Sequence, residues 1–86
     1  MNNVNFQSDF ETPKTAAEKV RVIAARIFQV DASSVTLEMG PDDIESWDSL
    51  NHLRLITEIE STFAVHLSMQ QIQNIHSLDD VVRVVG

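Results

Sequence analysis

Apolar residues recur along this chain at helical spacing in three stretches. In the first stretch Val20, Ile23, Ala24 and Ile27 make one stripe with Phe28 beside it, while Glu18, Arg21 and Arg26 take the wetter positions; apolar residues at i, i+3, i+4 and i+7 mark a core-facing amphipathic helix. Two starts compete for it. Thr12 before Pro13 places proline at a first helical position, and Thr15-Ala16-Ala17-Glu18 has the form of a capping box, so the pattern predicts a helix over about 13–29. A second helix is predicted from Asp48 or Ser49 to about Phe63. Leu50, Leu53, Leu55, Ile56, Ile59 and Phe63 cover more than half its circumference, which implies several packing neighbours, and Leu50 is expected to anchor the first turn in the core. Ser68-Met69-Gln70-Gln71 is a second capping-box pattern and starts a short third helix over 69–73. Ser77-Leu78-Asp79-Asp80 caps a fourth, whose stripe is Leu78, Val81, Val82 and Val85. The paired valines there suit a strand, but the cap and the helical spacing outweigh them.

Between the first two helices lies a long connection over 30–47, marked by Ser33-Ser34, Gly40-Pro41 and Asp42-Asp43 as turn and loop. A loop this long belongs in a compact domain only if it packs through its own side chains, and Val35, Leu37, Met39, Ile44 and Trp47 are the expected anchors. The alternation of Val35, Leu37 and Met39 would fit a strand, yet no partner strand is visible and a strand is rejected. Residues 1–12 are polar and aperiodic and are expected to form a loose arm, leaving 13–86 as one domain. The fold class is all-α: four helices, with the third short and a long first loop.

Charge narrows the partners. Thirteen acidic against six basic residues give a formal charge of −7, which argues against nucleic acid, whose phosphates are bound by basic surfaces, and favours docking on basic patches of other proteins. Seven of the thirteen acids fall between residues 38 and 60, where Arg54 is the only basic residue. There is no cysteine, so thiolate chemistry and disulfides are excluded. No apolar run approaches the roughly 20 residues of a membrane span, and the N-terminus lacks a signal-peptide pattern; the expected setting is the cytoplasm, without membrane insertion, as a monomer. His52, His66 and His76 match no compact metal-ligand spacing and read as surface histidines. The methionines read as core filler.

The residue that stands out is Ser49. A serine in the first turn of a helix, after a loop, is exposed where free backbone N–H groups and the helix dipole favour an anion. Asp48 beside it suits a helix cap and could help hold a divalent cation during phosphoryl transfer. Taken alone, Asp48-Ser49-Leu50 signifies no more than a cap. A hydrolase built on Ser49 and His52 finds no support, since no oxyanion loop is visible.

The wider context resembles the phosphopantetheine-binding carrier family over residues 14–85. The first helix ends in Ile27-Phe28. The acidic loop carries Leu37 and Ile44 into Asp48-Ser49-Leu50. The next helix reads Leu53-Arg54-Leu55-Ile56-Thr57-Glu58-Ile59-Glu60 and closes on Phe63, and helices around 69–72 and 78–85 follow. The resemblance implies a non-catalytic acyl carrier whose Ser49 receives phosphopantetheine from coenzyme A, with Asp48 and Leu50 as flanks of the attachment motif. It implies a phosphopantetheinyl transferase, an acyl-loading ligase or acyltransferase, and a downstream synthase or transferase as partners. Ser46-Trp47 before the aspartate, and Arg54 where fatty-acid carriers are often acidic, look more like discrete carriers of polyketide, aminoacyl or surface-polysaccharide pathways. In the same light Trp47, Arg54, Glu58 and Glu60 become candidates for partner recognition, although a lone tryptophan is normally packed on at least one face and the two glutamates equally fit a solvated helix face. The rival to this reading is an acidic interaction module of the same fold that carries no prosthetic group.

Overall fold

The computed structural model describes residues 15–85. The expected arm over 1–12 and the Thr12–Pro13 start lie outside them. Four α-helices follow one another: α1 (Ala16–Phe28), α2 (Ser49–Phe63), α3 (Met69–Gln73) and α4 (Leu78–Val85), with a single 3₁₀ turn, Ala32–Ser34, in the long loop. No strand occurs among the described residues.

Local chemistry sets the helix ends. Thr15 Oγ1 accepts from Glu18 N at 3.1 Å and Glu18 Oε1 from Thr15 N at 3.4 Å, so of the two competing starts the capping box is the one bonded here. Ser68 and Gln71 reciprocate in the same way at α3. Ser77 Oγ accepts from Asp80 N at 3.3 Å, satisfying one of the free donors at the start of α4. Both long helices end on a residue in the left-handed region, Gln29 after α1 and Ala64 after α2.

The core lies where α1 packs against α2 and α4. Val20, Leu55, Ile59, Leu78 and Val81 have no exposed surface, and Ile23, Ala24, Phe28 and Ile56 close around them. The loop joins this core as expected, through buried Val35, Ile44 and Trp47 and half-buried Leu37 and Met39. Its backbone is held as firmly as its side chains. Arg21, read as a wet position on α1, is partly buried and donates to the carbonyls of Val35 (3.0 Å) and Ala32 (2.9 Å). The carbonyls of Met39 and Leu37 in turn accept from Leu78 N (3.0 Å) and Asp79 N (2.8 Å). The loop thus covers N–H groups that α4 would otherwise leave free.

Two sequence expectations fail on α2 and one on α3. Leu50 and Leu53 are 59% and 57% exposed, and Met69 is 68% exposed. The apolar arc of α2 is wider than the surface its neighbours cover, so Leu50 does not anchor the first turn and Met69 is not core filler.

Candidate functional site

Trp47, not Leu50, fixes the start of α2. Its indole is only 5% exposed and stacks on Phe28 with ring centroids 4.8 Å apart. The loop around it is pinned at several points: Ser46 Oγ donates to the Phe28 carbonyl (2.8 Å), Asn51 Nδ2 donates to the Ser46 carbonyl (2.8 Å), and Trp47 N donates to the Ile44 carbonyl (3.0 Å). With Trp47 turned inward, the chain reverses into the helix at the next residue. Asp48 Oδ1 accepts from Asn51 N at 2.9 Å, and Asp48 is the N-cap of α2, as its residue type favours.

Ser49 is the first residue of α2. It is exposed, and its hydroxyl has no hydrogen-bond partner among the described residues. It sits at the positive end of a 15-residue helix, where a linked phosphate is electrostatically favoured. A groove of about 610 Å³ opens beside it between α2 and α3, lined by Trp47, Asp48, His52, Leu53, Met69 and Ile72 among others. A hydroxyl without a partner among the described residues, on a helix N-terminus and at the mouth of an open groove, fits a phosphodiester-linked arm: there is room for it and no bond to a described residue to break.

His52 is not the surface histidine that its spacing suggested. It is half-buried, with Nδ1 accepting from Trp47 Nε1 at 2.9 Å and Nε2 facing the Ile72 carbonyl at 3.2 Å. Both ring nitrogens are therefore engaged, so His52 is not placed as a general base for Ser49. Neither bond had a signal in the sequence: Trp47 lies before the helix, five positions is not a helical-neighbour spacing, and the Ile72 carbonyl is twenty positions away.

The remaining recognition candidates separate by their bonding. Glu58 Oε2 accepts from Arg26 Nη2 at 2.9 Å. Glu60 Oε2 accepts from Leu67 N at 2.9 Å and lies 3.7 Å from His66 Nδ1. Arg54 is exposed and has no ion pair or hydrogen bond among the described residues. Trp47 is inside. No group of three potential metal ligands occurs among the described residues, and no helix there is long and apolar enough to cross a membrane.

Residues 18–85 match the family model described as a phosphopantetheine attachment site. A protein of Onion yellows phytoplasma (strain OY-M) named "Acyl carrier protein" is 34% identical over 65 residues, spanning 76% of this chain and 86% of that protein. Proteins of the same name from Aster yellows witches'-broom phytoplasma (strain AYWB) and Phytoplasma australiense are each 32% identical over 65 residues with the same coverage. The chain therefore belongs to the phosphopantetheine attachment-site family.

Proposed function

We propose that this chain is an acyl carrier protein bearing phosphopantetheine on Ser49. The observation that carries the assignment is the exposed, unpartnered hydroxyl of Ser49 at the first position of α2, in a chain whose residues 18–85 match the attachment-site family. When bound, the arm supplies a terminal thiol on which an acyl or aminoacyl group rides as a thioester. The protein's own part is physical rather than catalytic. Trp47 holds the start of α2 in the core, Asp48 caps it, and Ser49 is left at the surface where a transferase can reach it. The second carboxylate oxygen of Asp48, free of the cap bond, suits it to help hold a divalent cation while the arm is transferred. A tether then raises the local concentration of the cargo at each enzyme it visits.

The partners that follow are a phosphopantetheinyl transferase, an acyl-loading ligase or acyltransferase, and a synthase or transferase that takes the cargo onward, all in the cytoplasm. Trp47, with Glu58 and Glu60, serves recognition by holding the docking helix in shape rather than by reaching out to a partner.

Intact-mass measurement after co-expression with a phosphopantetheinyl transferase tests the assignment. The expected result is one added arm, mapped by peptide sequencing to Ser49 and lost in Ser49→Ala. An arm found on the Ser49→Ala variant would show that another residue carries it. A chain left unmodified beside a modified control carrier would point instead to an interaction module.

A further inference from the structure

The exposed face of α2 next to Ser49 is apolar, and the one unpaired charge within it is positive. Leu50 and Leu53 stand open to solvent. With Ile27, Arg54, Thr57 and Glu58 they line a shallow groove of about 330 Å³. The one carboxylate on its lining, Glu58, is ion-paired with Arg26 at 2.9 Å, and Glu60 is turned to Leu67 N. Thr57 Oγ1 is satisfied by the Leu53 carbonyl at 3.0 Å. On this face, Arg54 alone keeps all its donors unspent among the described residues.

A protein that covers this face removes two leucines from water, which is favourable, and strips water from a guanidinium, which is not. An uncompensated buried cation is costly, and a basic patch laid over Arg54 would add repulsion. A carboxylate matches the planar fork of the guanidinium with two parallel hydrogen bonds. We propose that α2 docks on an enzyme surface that is apolar at its centre and presents an Asp or Glu carboxylate to Arg54. The acidic charge of the chain as a whole governs the approach of that enzyme, through exposed loop acids such as Glu38, Asp42 and Glu45, whereas Arg54 sets the register of the docked pair. This deepens the carrier reading and rests on it.

The test uses the full chain in its arm-bearing form, verified by intact mass, so that a failed arm is seen separately from failed docking. A photo-crosslinking amino acid is placed at Thr57, on the groove, and in a second variant at Asp42, on the loop. Adducts formed in an extract of the native host are sequenced, and the captured enzyme is purified. The expected adduct at position 57 lies in a peptide where Asp or Glu sits among apolar residues. Arg54→Glu, which keeps its fold by circular dichroism, should then bind that enzyme about thirtyfold or more weakly. Exchanging the enzyme's carboxylate for arginine should restore binding to Arg54→Glu and to no other variant. The proposal is overturned by a position-57 peptide that is basic or lacks a carboxylate, by adducts from position 42 alone or from neither site, by undiminished binding of Arg54→Glu, or by a charge exchange that restores nothing.

Discussion

The indole N–H of Trp47 donates to Nδ1 of His52 over 2.9 Å, and that single bond decides the state of the imidazole. Because Nδ1 accepts, the ring proton lies on Nε2, which donates to the Ile72 carbonyl at 3.2 Å. One side chain thus joins the end of the loop, the first turn of α2 and the end of α3, along one wall of the groove beside Ser49. Replacing it with alanine strands a donor on a buried indole and loosens the carbonyl at α3. His52→Ala should lose about 1–3 kcal/mol. His52→Gln, which carries an acceptor and a donor on one amide, should recover part of that. Trp47 is the sole tryptophan, so its fluorescence during urea unfolding reports both variants directly. Equal stability of His52→Ala and the parent would show that the relay contributes nothing.

Gly40 has a comparably specific duty. A Cβ at this position would fall inside contact distance of the His76 carbonyl, a backbone group that cannot swing aside. Gly40→Ala therefore pushes the loop away from the α3–α4 connection, straining the bonds from Leu78 N and Asp79 N to the loop carbonyls. The expected cost is about 1–3 kcal/mol, the range for overfilling a packed site. Amide exchange should quicken first at Leu78 and Asp79. Unchanged exchange at those two amides would place the damage elsewhere.

What was legible in the chain was local. The boxes at Thr15–Glu18 and Ser68–Gln71 span four residues each, and their side chains alone specify the bonds that form. The stripes of α1 and α4 were legible because each helix has one covered face. On α2 the same logic overreached: apolarity marks what could be buried, while coverage depends on which neighbours exist, and those among the described residues leave Leu50 and Leu53 more than half exposed. The burial of Trp47 followed from its size, but its polar partner did not, since His52 takes its meaning from a carbonyl twenty positions away. Backbone carbonyls carry no signature in the sequence, which is also why the loop's bonds to α4 could not be foreseen.

Capping and the proposed attachment fall to adjacent residues. Asp48 makes the cap bond to Asn51 N, and the Ser49 hydroxyl makes no bond within the described residues. Asp48→Ala should cost about 0.5–2 kcal/mol, while Ser49→Ala should stay within about 0.5 kcal/mol of the parent. Chemical denaturation of the arm-free protein compares the two. If Ser49→Ala proved the more damaging, the serine would be a structural residue and its availability for modification would be in doubt.

The last turn of α2 offers a prediction of opposite sign. Ala64 closes the helix in the left-handed region, with φ 54° and ψ 46°, its N–H bonded to the Glu60 carbonyl, and the next amide, Val65 N, returns to the same carbonyl at 3.1 Å. An L-residue with a Cβ is strained there by about 1–2 kcal/mol, and glycine is not. Glycine also gives the unfolded chain more freedom, which offsets about 0.4–1 kcal/mol of the relief. Ala64→Gly should therefore stabilise the protein, by up to about 1.6 kcal/mol, and raise the melting temperature by about 4–8 °C per kcal/mol gained. The identical exchange at Ala17, inside α1, should instead lower stability by up to about 1 kcal/mol. Calorimetry on the two variants reads that difference of sign, and a loss at both positions would mean that Ala64 is not under the strain its backbone angles imply.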